Sequence, residues 1–205
     1  MIRMPKEFDG GGNYYNKYES NNPAVQMLMR KYFQDLDGLI VPIKDRINLA
    51  LEIGCGEGYV TQHIQNLGIA IEGTDISERV IKIAQQSHPS LRFSECSVYD
   101  LQSLGGTYDL VLANEVLEHL TDYNRAIEEM KNVARKYLFF SVPNEPYFRF
   151  GNILRLKYLE NFGNTPGHIN HWSLQDFEKL LISADLDIVE IKPSTLWVMA
   201  LCEVE

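Results

Sequence analysis

The segment NEVLEHL places several acidic and imidazole side chains close together in the chain. Its candidates are Glu115, Glu118 and His119, and on a helical turn the spacings i, i+3 and i+4 share one face. Further along, the segment GHINHW adds His168 and His171. Carboxylates and imidazoles grouped in this way can hold a divalent ion or take a proton from a nucleophile. The spacing therefore predicts metal-assisted or general-base chemistry.

These two chemistries use overlapping residues, and the sequence leaves both open. For general-base catalysis the candidates are Glu118, His119 and His168. A metal ion would instead take Glu115, Glu118 and His119, with His171 as the completing ligand.

A second cluster of informative residues is the glycine turn, Gly54-Cys55-Gly56-Glu57-Gly58, which follows the apolar stretch NLALEI. A turn of this kind between a strand and a helix presents backbone N–H groups to a nucleotide-like ligand. The spacing G-x-G-x-G differs from the dinucleotide pattern G-x-G-x-x-G. Glu52 and Glu57 would repel a pyrophosphate and would suit a ligand that carries an amino group and positive charge.

Asp75 ends the next apolar stretch, IAIEGTD. A carboxylate at this position can accept hydrogen bonds from both hydroxyls of a ribose. The other reading is an acid at a helix N-terminus, where the helix dipole favours negative charge. Because Asp75 occurs together with the glycine turn, the sequence favours ribose binding.

The elements that must position these residues alternate between strand and helix from the glycine turn to Pro143. Such alternation predicts a parallel sheet with helices on both faces. The stretches LDIVEIK and TLWVMALCEV at the end of the chain are separated by only three residues, Pro193, Ser194 and Thr195, so they should form an antiparallel hairpin. A helix that begins at Pro23 precedes the first strand.

Taken together, LEIGCGEGYV, IEGTDIS, YDLVLANEVLEHL and the closing hairpin resemble the class I S-adenosylmethionine-dependent methyltransferases, over about residues 47–205. The chain looks most similar to the small-molecule branch typified by the ubiquinone-biosynthesis O-methyltransferases. The resemblance implies an α/β Rossmann-like fold with a seven-stranded mixed sheet. The implied strand order is 3-2-1-4-5-7-6, with the last strand antiparallel.

The same resemblance implies which residues hold S-adenosylmethionine. The glycine turn would line the methionine part of the cofactor, and the acid after the second strand would bind its ribose. The adenine contact would fall at Ser97, where the family usually has Asp, so backbone groups there are expected to replace that side chain. The implied cofactor residues are Glu52, Gly54, Cys55, Gly56, Asp75, Ile76, Ser97, Val98, Asn114 and, from the N-terminal arm, Tyr15.

An E-x-x-E-H group with a distant histidine resembles the magnesium-dependent members, namely the ubiquinone O-methyltransferases and the small-RNA 3′-end methyltransferases. This makes Mg²⁺ a candidate second cofactor. The string VLEHL also occurs in methyltransferases without a metal, where His119 and Glu118 brace the loop or help as a base.

The chain is predicted to be one methyltransferase domain, 1–205. Its segments would be an N-terminal arm and helix (1–46), a cofactor-binding core (47–143), a substrate-side insert (144–170), and a C-terminal helix and hairpin (171–205). Aromatic and basic residues interleave in the insert, which suits an aromatic or acidic acceptor. A helix that packs its aromatics on the core would give the same pattern.

The amino-acid composition limits the classes of partner that the protein is expected to bind. A formal net charge of -9 makes nucleic acid an unlikely partner. No apolar run is long enough to span a membrane, and no apolar leader begins the sequence, so a cytoplasmic location is expected, as a monomer or homodimer.

The predicted function is methyl transfer from S-adenosylmethionine to a small-molecule hydroxyl. The alternatives are a metal-dependent RNA 3′-end methyltransferase, an NAD-dependent oxidoreductase and a non-catalytic cofactor-binding subunit.

Overall fold

Seven strands form one mixed sheet in the computed structural model, which describes Tyr18 and residues 20–145 and 167–204. The strands are β1 (Leu49–Ile53), β2 (Ala70–Asp75), β3 (Arg92–Glu95), β4 (Tyr108–Asn114), β5 (Ala134–Pro143), β6 (Asp187–Ser194) and β7 (Trp197–Glu203). The α-helices are α1 (Pro23–Ile40), α2 (Tyr59–Asn66), α3 (Glu78–Ser87), α4 (Tyr123–Val133) and α5 (Leu174–Ser183). Short 3₁₀ helices cover Val41–Arg46, Val98–Leu104 and Leu117–His119.

The strand order is β3-β2-β1-β4-β5-β7-β6, which confirms the predicted topology. Strands β1 to β5 pair in parallel, and β7 runs antiparallel to both of its neighbours, β5 and β6. The turn between β6 and β7 is too short to cross over the sheet, which is why the two strands form a hairpin. The predicted α/β class with an antiparallel last strand is therefore confirmed.

Helices cover both faces of the sheet because the central strands are apolar on both sides. On β4, Leu110 and Leu112 face the core that contains α1, α2 and α3. Val111 and Ala113, which alternate with them, face the core that contains α4 and α5. The whole of β4 is buried, as expected for a strand in the middle of a parallel sheet.

Local sequence signals determine where the helices begin. Asn22 accepts a hydrogen bond from the backbone N–H of Ala24, and Pro23 occupies the first position of α1. Asp122 and Ser173 accept from the backbone N–H groups of residues three positions later and so cap α4 and α5.

Some predictions concern residues outside the described ranges. These are the arm residue Tyr15 and residues 146–166, which make up most of the insert. The four-segment division of the chain stays a prediction. Among the described helices, none combines the length and the apolar character needed to cross a membrane.

Two adjacent residues of α5 test the assignment of the core. Leu181 is fully buried, whereas the side chain of Ile182 is 60% exposed. Leu181→Ala should lower the free energy of unfolding by about 2–5 kcal/mol, because it removes buried methyl groups and leaves a cavity. Ile182→Ala should change it by no more than about 0.5 kcal/mol. Urea unfolding measures both, and equal losses would contradict this orientation of α5.

Candidate functional site

The predicted ligand-binding residues meet at the carboxyl edge of the sheet. Glu52 lies one residue from the end of β1, Asp75 ends β2 and Asn114 ends β4, and these three strands are neighbours. Parallel strands present their carboxyl ends at one edge, and ligands of open α/β sheets bind there. All three polar side chains are nevertheless buried, so each depends on hydrogen bonds from its surroundings.

The glycine turn needs left-handed backbone at Gly54, Gly56 and Gly58, whose φ angles are +64°, +54° and +85°. Gly54 also allows a close approach, because a Cβ placed there would lie 2.5 Å from the Cγ2 atom of Val116. The NEVLEHL segment that follows β4 therefore packs directly against the turn. Only glycine meets both requirements without strain.

Glu52 accepts hydrogen bonds at both carboxylate oxygens. The hydroxyl of Thr61, on α2, donates to Oε2 at 2.5 Å, and the side-chain amide of Asn114 donates to Oε1 at 3.0 Å. Burial raises the pKa of Glu52 to about 7, and the two hydrogen bonds oppose that rise. The carboxylate is thus ionised only around neutral pH and above, unless a cation binds beside it.

Asp75 is held by the backbone of the turn and of the following helix. Its Oδ2 accepts from Gly56 N–H at 3.1 Å and its Oδ1 accepts from Ser77 N–H at 2.9 Å. Burial raises the pKa of this carboxyl, and the backbone hydrogen bonds oppose the rise. Each carboxylate oxygen can accept a second hydrogen bond, so the site retains the capacity to bind two ribose hydroxyls.

The other predicted cofactor residues differ in what they can offer. The side chain of Cys55 packs into the core, so only its backbone could contact a ligand. Ile76 is 62% exposed beside Asp75 and presents an apolar surface at the site. The Ser97 hydroxyl accepts from Tyr99 N–H at 3.2 Å, as a helix cap, and Val98 is buried after it. An adenine contact at Ser97 or Val98 stays a prediction.

The three predicted catalytic residues form a cluster: Glu118, His119 and His168 each have a potential ligand atom within 4.8 Å of the others. The two imidazole rings lie edge to face with centroids 4.8 Å apart. Glu118 is fully buried, and His168 is 9% exposed. The structure therefore brings together one carboxylate and two imidazoles directly after the fourth strand.

Hydrogen bonds hold the two halves of this cluster together. The carbonyl of Gly167 accepts from Nδ1–H of His119 at 2.9 Å. The backbone N–H groups of Ile169 and Asn170 donate to the carbonyl of Glu118 at 2.9 and 3.1 Å. A carbonyl can only accept, so Nδ1 of His119 carries a proton; in the neutral ring, Nε2 then carries the lone pair.

Two of the four predicted metal ligands do not belong to this cluster. Glu115 lies before the short 3₁₀ helix, and its backbone is left-handed, with a φ of +54°, so its side chain does not share a face with that helix. Its Oε1 accepts a hydrogen bond from the indole N–H of Trp197 at 2.5 Å. His171 lies with Nδ1 3.5 Å from Oε1 of Glu145. The assumption of a helical turn from residue 115 was wrong, because only Leu117–His119 are helical. Of the two histidines that the segment GHINHW offers, His168 joins the cluster, whereas His171 lies beside Glu145.

Tyr18 connects the N-terminal arm to the glycine turn. Its ring stacks on Tyr59, the first residue of α2, with centroids 4.7 Å apart. Burial and the nearby carboxyls of Glu52 and Glu57 raise the pKa of the Tyr18 phenol. Tyr18 thus lies near the predicted cofactor site, while the predicted contact at Tyr15 lies outside the described residues.

Sequence reasoning missed four residues that support the site: Tyr32, Thr61, Asn170 and Trp197. Tyr32 donates from its hydroxyl to Oδ1 of Asn114 at 2.9 Å, and Asn170 donates from its side chain to the carbonyls of Leu117 and Leu120. Tyr32 lies among the buried apolar residues of α1, so its position in the helix suggests packing alone. Its polar end was the available signal, since a buried tyrosine hydroxyl usually finds a partner.

Gly54 and Gly68 provide a matched test of the glycine turn. Both have positive φ, +64° and +90°, but, apart from the chain neighbours of Gly68, no atom of the described residues lies within 4 Å of a Cβ placed there. Substitution by Ala should cost about 1–2 kcal/mol of stability at either position because of the left-handed backbone. Gly54→Ala should cost about 1–3 kcal/mol more, because its methyl group displaces Val116, and it alone should weaken ligand binding at the turn. Urea unfolding and titration with S-adenosylhomocysteine measure the two effects. Equal behaviour of the variants would show that Val116 does not constrain the turn.

Comparison with known proteins identifies the family. Residues 28–191, well over half of the chain, match the family model of the methyltransferase domain. The ubiquinone biosynthesis O-methyltransferase of Bordetella avium (strain 197N) is 27% identical over 128 residues, which cover 59% of this chain and 51% of that protein. The chain therefore spans about half the length of this curated relative, and smaller shares of others with the same name.

Solved structures share the fold at low sequence identity. The magnesium protoporphyrin IX methyltransferase of Synechocystis PCC 6803, with bound SAH, superposes with a TM-score of 0.70 at 19% identity over 92% of this chain and 91% of that one. The plantazolicin methyltransferase BpumL, also solved with SAH, gives a TM-score of 0.71 at 16% identity over 93% of this chain and 88% of that one. The glycine turn and Asp75 lie at the strand ends that the resemblance to the class I S-adenosylmethionine-dependent methyltransferases implies. This chain belongs to the methyltransferase domain family.

Proposed function

We propose that this protein transfers the methyl group of S-adenosylmethionine to a hydroxyl of a small organic acceptor. The observation that carries the proposal is the position of the Glu118–His119–His168 cluster. Val116 joins the NEVLEHL segment to the glycine turn, so groups able to take a proton lie beside the predicted cofactor site. A hydroxyl nucleophile needs such a group, since its proton must leave as the methyl group arrives.

The cofactor would lie along the edge formed by Glu52, the glycine turn and Asp75. Glu52 would receive the ammonium group of the methionine part, because a cation beside this carboxylate favours its ionised form. Asp75 would accept from the ribose hydroxyls. The enzyme would then act mainly by holding sulfonium and acceptor in line and by excluding water.

His119 is the preferred proton acceptor. Its Nδ1–H donates to the Gly167 carbonyl, so Nε2 has the lone pair needed to take a proton. The buried carboxyl of Glu118 and the ring of His168 lie within the same cluster and could stabilise the imidazolium that forms.

The composition of the cluster also favours a second form of the proposal, in which a divalent ion lowers the pKa of the acceptor hydroxyl. Glu118, His119 and His168 would hold the ion. Two imidazoles and one carboxylate suit Mn²⁺, Fe²⁺ or Zn²⁺ better than Mg²⁺, which prefers oxygen ligands. The predicted Mg²⁺ is therefore not supported.

Support for the small-molecule acceptor comes from the net charge and from the relatives. The chain has a formal charge of -9, which disfavours a polyanionic RNA substrate. The match to the methyltransferase domain family argues against the alternative of an NAD-dependent oxidoreductase. The relatives named above include O-methyltransferases of ubiquinone biosynthesis, which agrees with transfer to oxygen. A cytoplasmic location and a monomeric or homodimeric state stay predictions.

Calorimetric titration with S-adenosylhomocysteine tests the cofactor site. Asp75→Ala should weaken binding at least about tenfold, because it removes a charged acceptor of ribose hydroxyls. Asp45→Ala, which changes an exposed acid in the 3₁₀ helix after α1, is the control and should bind like the wild type. A wild-type protein that does not bind the ligand would refute the proposed function.

Addition of Mn²⁺ or Mg²⁺ to the protein saturated with S-adenosylhomocysteine tests the metal-assisted form. We expect Mn²⁺ to bind at least about tenfold more tightly than Mg²⁺, because two of the three ligands are imidazoles and Mg²⁺ prefers oxygen ligands. His168→Gln should abolish the Mn²⁺ heat, whereas His63→Gln, on α2, should preserve it. If Mn²⁺ gives no heat with the wild type, His119 remains as the general base and the metal-assisted form is wrong.

A further inference from the structure

Tyr32 lies on α1, which precedes the glycine turn by many residues, yet its hydroxyl reaches the cofactor edge of the sheet. Its O–H donates to Oδ1 of Asn114 at 2.9 Å. Burial raises the pKa of the Tyr32 phenol above its usual value, so the hydroxyl keeps the proton that it donates. The ring packs edge to face against Trp197 at 4.9 Å and Phe33 at 5.7 Å, which holds the hydroxyl in place.

The contact with Tyr32 matters because Asn114 also contacts Glu52. A side-chain amide has an accepting end and a donating end. With Oδ1 of Asn114 occupied by the Tyr32 hydroxyl, Nδ2 points to Oε1 of Glu52 and donates to it at 3.0 Å. If the amide turned over, its oxygen would face the carboxylate, which can only accept when it is ionised.

We propose that Tyr32 is a positioning residue of the cofactor site, whose hydroxyl fixes the orientation of the Asn114 amide so that it donates to the carboxylate of Glu52. The inference rests on the proposed function, because Glu52 is taken to receive the ammonium group of the cofactor. Tyr32 itself does not contact the reacting atoms. It acts on the ligand through two other side chains.

The surroundings of Glu52 make this donor important. The titratable groups that face it are Asp75 after β2, Cys55 in the glycine turn, Tyr18 from the arm and Tyr32 from α1. All four are acids, so none of them offers a positive charge to the carboxylate. Among the described residues, the ionised form is therefore favoured by neutral donors: the hydroxyl and the backbone N–H of Thr61 and the side-chain amide of Asn114.

The expected pH dependence follows from the sign of these effects. A cationic ligand binds the ionised form of Glu52, so its affinity falls as the pH drops below the pKa of this group in the free protein. Loss of an oriented donor disfavours the ionised form and raises that pKa further. Affinity should then begin to fall at a higher pH than in the wild type.

Tyr32→Phe tests this, because it removes the hydroxyl and keeps the ring against Trp197. The measurement is the Kd of S-adenosylhomocysteine by calorimetry from about pH 6 to about pH 9. Near pH 6 the variant should bind about three- to tenfold more weakly than the wild type, as expected for loss of one hydrogen bond. Near pH 9 the difference should shrink to less than about twofold, since Glu52 is ionised in both proteins.

The matched control is Tyr108→Phe. This buried tyrosine also donates to a glutamate, Glu72, at 3.4 Å, but it begins β4, at the opposite end of that strand from Asn114. The pH dependence of its Kd for S-adenosylhomocysteine should match that of the wild type.

A double-mutant cycle adds a second readout. In an Asn114→Ala background, Tyr32→Phe should have little further effect on the Kd near pH 6, because the residue through which it acts is absent.

The outcomes distinguish a failure of the proposed function from a failure of the proposed role of Tyr32. If the wild type does not bind S-adenosylhomocysteine at any pH, the proposed function itself fails. If the wild type binds and Tyr32→Phe weakens binding equally at every pH, the tyrosine is merely structural and the inference is wrong. An undiminished effect of Tyr32→Phe in the Asn114→Ala background would also overturn it.

Discussion

The buried carboxylate of Glu52 is the constraint around which the candidate site is arranged. A carboxylate removed from water is stable only if hydrogen bonds replace the lost hydration. In this chain the donors come from Thr61 on α2 and Asn114 on β4, and Tyr32 on α1 supports the second of them. Three elements that are distant in sequence are thereby tied to one side chain, and the edge of the sheet acquires a negative charge suited to a cationic ligand.

The close approach of Val116 to Gly54 is the second constraint, and it joins two kinds of chemistry. Gly54 belongs to the turn expected to hold the cofactor, and Val116 belongs to the NEVLEHL segment, which carries Glu118 and His119. Backbone N–H groups from the stretch around Asn170 then fasten His168 to the same segment. The edge expected to hold the cofactor and the cluster proposed to accept the proton therefore share one close contact, as alignment of two reactants would require.

The fold alone does not identify the reaction partner, since one fold can carry many functions. The two solved methyltransferases compared here share the fold at less than 20% identity, and their names indicate different acceptors. In the proposed function, acceptor choice depends on residues around His119 and His168, and a contribution from the segment 146–166 stays a prediction. The negative net charge of the chain also affects which acceptors can bind, because it disfavours polyanions.

The strand order was implied by the resemblance to the class I methyltransferases. The sequence by itself determined the alternation of strands and helices, the closing hairpin, the glycine turn and the position of Asp75 at a strand end. These features are local: alternation, turn residues and strand ends are properties of neighbouring residues. Only the tertiary structure decided which side chains meet. Glu115 turns away to Trp197 because its backbone is left-handed, and Tyr32 reaches Asn114 across 82 positions of the chain. Spacing arguments assume a regular element, whereas these contacts depend on an irregular turn and on long-range packing.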